Sequence, residues 1–511
     1  MVEQSEPVLD IQDIQGNILA GFNKDFQNFL FLKIIQPQQT KKWLKELLPE
    51  ISSLEEVLRF NNLFKSMRER LGGRDPQGLT STWINVAFTY VGLEKLVPDE
   101  SVHFTSEAFK DGMPRRSLGD RLNPEQWEYG GWNNYPDFVL IVASDNENFL
   151  QERVNTIKKM ISENVGLRLI QEEVGRVLPD KPGHEHFGFK DGISQPGVRG
   201  RISDGDHDYL TPRLIDPDEK RSLSFSKPGE LLIWPGEFVF GYPAQGARPH
   251  PDDDIQPLLK GPDMYINVPK WARNGSYLVF RRLRQDVKAF QDSLKQIKVQ
   301  TGLSEDLIGA KLMGRWPSGA PIIRSPEHDQ ENIGKDAYES NHFSYNEVEP
   351  PIKMSKEVGG RVISGATNDR LGGICPFSAH IRKVNPRDMG TDLGSAEQTL
   401  LRRIIRRGIP FGRSFNEVPE EERGLLFISY QTSIERQFEF LQKTWANNKK
   451  NPPGSEGEDP IIGQNTSTDR SRTFVLEHKT LNLQEFVTMT GGGYFFQPSI
   501  SAINEIITKH V

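Results

Sequence analysis

Four stretches of the chain repeat one design: a short apolar run, a few polar residues, then a segment whose apolar positions fall three or four apart. They are FLFLKIIQPQQTKKWLKELLPEI from Phe29, FVLIVASDNENFLQERVNTIKKMI from Phe138, YLVFRRLRQDVKAFQDSLKQIK from Tyr277 and LLFISYQTSIERQFEFLQKTWA from Leu425. Each run is rich in Val, Ile, Leu or Phe and short enough for a β-strand, and each follower carries the stripe of an amphipathic helix. In the second, Phe149, Leu150, Val154, Ile157 and Ile161 share one face. Start signals agree: Ser144 with Glu147 and Thr432 with Glu435 have capping-box spacing, and Pro37 suits a first helical turn.

The distance between these units selects the architecture. A doubly wound parallel sheet repeats its strand–helix unit every thirty to fifty residues or so, whereas here the units start near residues 29, 138, 277 and 425, with further strand candidates between them. Those candidates are TWINVAFTYVGL at 82–93, LLIWPGEFVFGYP at 231–243 and GGYFFQPSISAI at 492–503. Two helix-bearing units plus extra strands in each half predict an α+β fold of two ferredoxin-like (βαββαβ) domains with antiparallel sheets. The expected domains are residues 10–215 and 226–507, parted in the polar stretch 200–228. The segment NNKKNPPGSEGEDP at 447–460 reads as a surface loop.

Composition narrows the function. The 511 residues include 45 glycines and 34 prolines, so long loops surround the core. Basic residues number 63 against 70 acidic, mixed along the chain, for a net charge of −7. No basic stripe is present, which argues against nucleic acid as a partner. One cysteine, Cys375, excludes an internal disulfide framework and a CxxC metal site. The acidic start MVEQSEPVLD lacks the pattern of a signal peptide, and no segment reaches about 18 consecutive apolar residues, so a soluble cytoplasmic protein without a membrane partner is expected, export by another route remaining open.

The candidate chemistry centres on HFGFKDGISQP at 186–196. Asp-Gly is the commonest turn dipeptide, but Phe187, Phe189 and Ile193 want burial and would draw Asp191 with them. Desolvation there is expected to raise its pKa and make it an acid/base near neutrality. His184 and His186 stand just before it, spaced to lie on one face of a strand, and with a carboxylate could hold a non-haem metal for an oxidoreductase. His380 lies in GGICPFSAHIRKVNPRD. It reads either as a half-buried structural histidine or, trailed by Arg382, Lys383 and Arg387, as a ligand to a metal centre that itself bears carboxylates, as haem does. Cys375 reads as a buried thiol. In LLRRIIRRGIPFG at 400–412 the spacing predicts a helix ended by Gly408, with two of Arg402, Arg403, Arg406 and Arg407 turned to its apolar flank; an inward arginine needs an anionic partner.

With these residues assembled, the chain resembles the dye-decolorizing peroxidases, in particular their larger subgroup with fungal and cyanobacterial members. The likeness is carried by Gly188-Phe189-Lys190-Asp191-Gly192, which matches the GxxDG signature, and by IQGNIL at 14–19, NGSYLVFRRLRQDV at 274–287, MGRWPSGAPI at 313–322 and GLLFISYQTSIERQFEFLQKTWAN at 424–447. The resemblance implies a dimeric α/β-barrel-like superfold whose C-terminal half binds one non-covalent haem b. It implies a peroxidase that uses hydrogen peroxide to oxidise dyes, phenols and other bulky donors through a ferryl intermediate. By the same resemblance Asp191 and Arg406 are the distal catalytic pair and His380 is the proximal iron ligand. Arg387 meets a haem propionate, Leu425 and Phe427 line the distal pocket, and Asp459 bonds the ligating histidine from behind. Trp445 matches a surface tryptophan that relays electrons in some relatives, and Phe411 stands where some have a redox-active tyrosine. A non-catalytic haem carrier or sensor is the further alternative, with Asp191 and Arg406 as the discriminating pair; a monomer and a homodimer are both compatible with the sequence.

Overall fold

The computed structural model describes residues 5–246, 260–394 and 396–509; the first four residues of the acidic start lie outside these. One nine-stranded sheet organises the molecule. The first half contributes β1 (Phe26–Ile34), β2 (Thr82–Phe88), β3 (Phe138–Ser144) and β4 (Leu167–Arg176). The second contributes β5 (Ser276–Gln285), β6 (Ile405–Arg406), β7 (Ile409–Phe411), β8 (Gly424–Gln431) and β9 (Val487–Gln497). All four sequence repeats form as read: β1, β3, β5 and β8 lead into helices at Pro37–Leu47, Glu147–Glu163, Val287–Thr301 and, in π-helical form, Ile434–Glu439 with Leu441–Ala446. Pro37 occupies the first turn.

The caps differ from those predicted. Asn146 and Ser433 accept the amides of Phe149 and Arg436, each at 3.1 Å. Ser144 and Thr432 are still tied to their strand surroundings, Ser144 accepting from Thr82 Oγ1 at 2.9 Å and Thr432 donating to the Gly236 carbonyl at 2.7 Å. Strand pairing therefore runs on past the expected start and the helix begins one or two residues later.

Every pairing within the large sheet is antiparallel, and its order is β4-β1-β3-β2-β9-β5-β8-β6, with β7 also beside β8. Each half thus runs fourth, first, third, second, the strand order of a ferredoxin-like unit. The halves join where Phe496 of β9 pairs with Phe88 of β2. At the far edge β7 lies against β4: a Cβ on Gly175 would sit 2.3 Å from Ile409 Cγ2. That position demands glycine, and the contact brings the two ends of the sheet together.

Alternation along the strands separates two cores. Phe29, Phe31, Ile141, Leu278, Phe280, Leu426 and Ile428 face inward and merge into a cluster shared by both halves. On the outer face of the first half, Leu30, Leu32, Val86, Leu140 and Val142 meet Leu150, Val154, Ile157 and Ile161 of the Glu147–Glu163 helix. Full burial of such side chains is worth about 1.5–3 kcal/mol each. Phe149, the fifth member of the sequence stripe, is exposed. Residues 231–243 do not join the large sheet: Glu230–Ile233 is a short strand elsewhere, and Pro235 with Gly236 breaks the run. Among the described residues no helix is long and apolar enough to cross a membrane.

Candidate active site

The outer face of the second half-sheet is only partly covered, by Ile434 and Phe438 of the Ile434–Glu439 helix. Arg281, Leu283 and Gln285 of β5, Leu425 and Phe427 of β8, and Val487 and Met489 of β9 instead form one wall of a cavity of about 490 Å³. The opposite walls come from the long segments outside the sheet, which bring in Asp191, Arg315, His380, Arg387 and Arg403. A cavity of this size suits a cofactor-sized ligand.

Asp191 and Arg406, 215 positions apart in sequence, meet in it: Arg406 Nη1 donates to Asp191 Oδ1 at 2.7 Å. The Gly192 amide donates to the same oxygen at 2.6 Å, with Gly192 at φ 75° giving the loop its turn. Burial pushes the Asp191 carboxyl up, but the Arg406 charge, the Gly192 amide and the positive side of His380 outweigh it and hold it below the ordinary carboxylate value. The expected upward shift is thereby corrected. Glu185 braces this loop. Its carboxylate accepts from the amides of Phe187 (2.8 Å) and Phe189 (2.9 Å) and from Gln285 of β5, and burial pushes it up to about 7.

Residues 400–412 are not the expected helix. A 3₁₀ turn at Glu397–Arg402 leads into β6 and β7, which pair with β8. The pairs of apolar and basic residues fit a helical period, but a free strand edge on β8 decides the outcome. Alternation then sends Ile405 into the inner core and Arg406 into the cavity, while Arg407 turns away to the carbonyls of Asn17 and Leu19. Gln195 fixes the Arg406 backbone from both sides, its Nε2 donating to the carbonyl at 2.9 Å and its Oε1 accepting from the amide at 3.2 Å.

On the facing wall, His380 opens a short helix, His380–Val384. Its Nδ1 lies 2.8 Å from Asp459 Oδ2, and Asp459 Oδ1 accepts from the amides of Ile461 (2.8 Å) and Ile462 (3.0 Å). With Nδ1 so engaged, Nε2 is the nitrogen left for a ligand. Burial lowers His380, but the charge and hydrogen bond of Asp459 raise it further, for a net upward shift; Asp459 is held below the usual carboxylate value for the complementary reason.

Of the three cations after His380, Arg387 alone lines the cavity. Arg382 is buried against Asp369 and the Cys375 carbonyl. Lys383 donates to the carbonyls of Asn448 (2.6 Å), Gly457 (2.6 Å) and Asn451. That bond set corrects the reading of 447–460 as a surface loop, since Asn451, Ser455, Glu458 and Asp459 are all buried around Lys383.

Arg387 donates to the carbonyls of Asn341 (3.2 Å) and Phe343 (2.8 Å), and Arg315 to those of Gly319 (2.8 Å) and Ser340 (2.6 Å). Among the described residues neither has a carboxylate partner. Burial and the neighbouring Arg387 push Arg315 down to about 9, and burial pushes Arg403 down to about 10. A buried and a half-buried cation, Arg315 and Arg387, that face only neutral oxygens ask for an anion. Together with the free Nε2 of His380 and apolar walls of Leu231, Ile233, Leu283 and Met313, they fit haem, a flat apolar ligand with an iron and two carboxylates. Arg315 escaped the sequence reading, its signal being an arginine inside an otherwise apolar, Gly- and Pro-rich stretch at 313–322. Glu185 escaped because only the histidines on either side of it drew attention.

The remaining candidates lie elsewhere. Trp445 is 1 % exposed, so it is not a surface residue; its Nε1 donates to Asp392 Oδ1 at 2.9 Å and its ring meets Phe440 edge-on at 5.4 Å. His184 and His186 sit outside any strand and bond different carbonyls, Pro317 at 3.1 Å and Phe411 at 2.8 Å. Burial pushes His186 down to about 4, and among the described residues no group of His, Cys, Asp and Glu is set to hold a metal ion. Phe411 is buried beneath the Arg282 guanidinium, and Cys375 is a buried thiol pushed up to about 11 by burial.

Comparison with known proteins agrees with this geometry. Residues 13–177 match the family described as DyP dimeric alpha+beta barrel domain, and residues 260–453 match Dyp-type peroxidase, C-terminal. A dye-decolorizing peroxidase of Mycetinis scorodonius is 31% identical over 98% of this chain and 88% of its own length. One from Auricularia auricula-judae is 30% identical over 97% of this chain and 86% of its own. Among solved structures, an ancestral D-type dye-decolorizing peroxidase superposes with a TM-score of 0.75 at 31% identity, covering 98% of this chain and 99% of that one. With sequence, fold and cavity in accord, the chain belongs to the dye-decolorizing peroxidases.

Proposed function

We propose that this haem peroxidase uses hydrogen peroxide to oxidise dyes, phenols and other bulky aromatic donors, with Asp191 and Arg406 as its catalytic pair and His380 as the residue that would hold the iron of a single non-covalent haem b. The observation that carries the reading is that the Asp191–Arg406 pair and His380, backed by the buried Asp459, line one and the same cavity. When bound, haem supplies the iron that peroxide oxidises and from which donors are then oxidised.

The chain's own residues do the rest. His380 Nε2 would hold the haem iron, and Asp459, fixed by two amides, keeps the imidazole oriented and electron-rich. Asp191, its carboxyl held below the ordinary value by Arg406, takes a proton from one oxygen of hydrogen peroxide and delivers it to the other, so that the O–O bond parts with water as the leaving group. Positioned proton transfer of this kind is worth about 10²–10⁴-fold. Arg406 stabilises the negative charge that develops on the peroxide, at no reorganisation cost because Asp191, the Ser194 carbonyl and Gln195 already hold it. Arg315 and Arg387 would receive the haem carboxylates, and Leu425 and Phe427 would keep the distal side apolar. A carrier would have no use for the Asp191–Arg406 pair.

The test is the absorption spectrum of the purified holoprotein before and after one equivalent of hydrogen peroxide. A Soret band that shifts on addition, and shifts more slowly in Asp191→Asn and Arg406→Leu, is the expected result. Unchanged rates in both variants would sink the distal assignment.

A further inference from the structure

A peroxidase that oxidises its own cofactor site exposes nearby side chains to oxidation, and the chemistry of each tyrosine decides whether it can take part. Removing an electron from a buried phenol that keeps its proton leaves an uncompensated cation in the interior. A proton acceptor at the hydroxyl removes that obstacle. The buried tyrosines are Tyr129, Tyr242, Tyr277, Tyr345, Tyr430 and Tyr494. Among the described residues Tyr129 OH has no hydrogen-bond partner, and Tyr242 and Tyr430 donate to the amide oxygens of Asn274 (2.7 Å) and Gln497 (2.9 Å). Among the described residues Tyr277 and Tyr345 meet no carboxylate through their hydroxyls. Tyr494 donates to Glu439 Oε1 at 3.0 Å.

The surroundings of that pair are built for charge. Arg116 grips Glu439 with both arms, Nε to Oε1 and Nη2 to Oε2 at 2.9 Å each, and Lys443 Nζ lies 3.1 Å from Oε2. Burial raises the Glu439 carboxyl, but Arg116 and Lys443 outweigh it, so the acceptor is ionised. On the other side the Tyr494 ring lies 6.3 Å from Phe438, which lines the cavity and is itself 6.0 Å from cavity-lining Phe427. One ring therefore separates Tyr494 from the cavity, while Arg116 and Lys443, partly exposed, carry the network to the surface.

We propose that Tyr494, with Glu439 as its proton acceptor, is an internal redox site of this enzyme, linking the haem cavity to the surface at Arg116 and Lys443. Tyr494 gives one electron to the peroxide-oxidised haem centre and passes its phenolic proton to Glu439 Oε1, leaving a neutral phenoxyl radical. A reducing aromatic donor then returns the electron, and Glu439 returns the proton. The inference rests on the peroxidase reading of the cavity.

The experiment is freeze-quench electron paramagnetic resonance of the holoenzyme with one equivalent of hydrogen peroxide and no donor, with the Soret change followed in parallel. The expected result is a tyrosyl signal, narrowed by ring-deuterated tyrosine, that is lost in Tyr494→Phe and diminished in Glu439→Gln, while both variants keep the wild-type Soret change. Tyr430→Phe, whose hydroxyl meets only amides, keeps the signal. A tyrosyl signal that survives Tyr494→Phe, or a radical that only Trp445→Phe removes, overturns the proposal while leaving the cavity reading intact. Absence of any Soret change in the wild type overturns that reading, and this proposal with it, because Tyr494 then has no oxidant.

Discussion

The two half-sheets share a strand order and differ in what covers their outer faces. On the first, Leu30, Leu32, Leu140 and Val142 are sealed by the Glu147–Glu163 helix. On the second, the matching face carries Arg281, Leu283, Leu425, Phe427 and Met489 and looks into a cavity. The difference shows how one topology, used twice, separates duties. The sealed half supplies stability through apolar packing, and the open half spends its face on a ligand. Of the residues that make the second face chemical, Asp191, Arg315, His380, Arg387 and Asp459 lie on segments outside the sheet, and Arg406 lies on its edge strand β6.

This comparison can be broken most forcefully at Asp191. Asp191→Asn should lower the second-order rate of the peroxide-induced Soret change by about 10²–10⁴-fold and leave the unfolding midpoint near wild type, as stopped-flow and denaturant titration would show. Leu140→Ala should do the reverse, costing about 2–5 kcal/mol of stability by denaturant unfolding with the peroxide rate retained. If Leu140→Ala instead slowed peroxide and spared stability, the division of duties would be wrong.

Arg406→Leu sharpens the point through pH. Asp191 is held below its ordinary value mainly by Arg406, and its ionised form is the active one, so activity is present above that value and lost as pH falls through it. Without Arg406 the acid limb of the rate profile should move to higher pH, besides a loss of about 10²–10³-fold on the plateau; a limb that stays put would free Asp191 from that partner. Asp459→Asn should cost about 10–100-fold in haem affinity or peroxide rate, seen by haem titration. Leu425→Ala, at a wall that is already open, should change stability by only about 0.5 kcal/mol.

Much of the fold was legible because it rests on local period. The four strand–helix units announce themselves through a short apolar run followed by a helical stripe, and no partner is needed to read them. Residues 400–412 were misread because LLRRIIRR satisfies a helical period as well as a strand, and the arbiter, the edge of β8, lies in another part of the chain. The direction of the Asp191 shift was missed for the same reason: burial can be guessed from Phe187 and Phe189, but the counter-charge arrives from residue 406. Trp445 matches a surface tryptophan in sequence, and only packing against Phe440 and the bond to Asp392 buries it. His380 was singled out for its three following cations, of which two serve Asp369 and the 447–460 segment rather than the cavity.

The strict alternation of Ile405, Arg406 and Arg407 constrains how this gene can vary. A point change at Ile405 alters packing and leaves the neighbouring arginines where they are. A single-codon insertion or deletion between Arg402 and Ile405 would turn β6 over, presenting an isoleucine or an unsupported arginine to Asp191 and driving a charge into the inner core. Lineages of this protein should therefore accept substitutions along that stretch while keeping its length invariant, with length changes confined to segments whose register no strand pairing fixes.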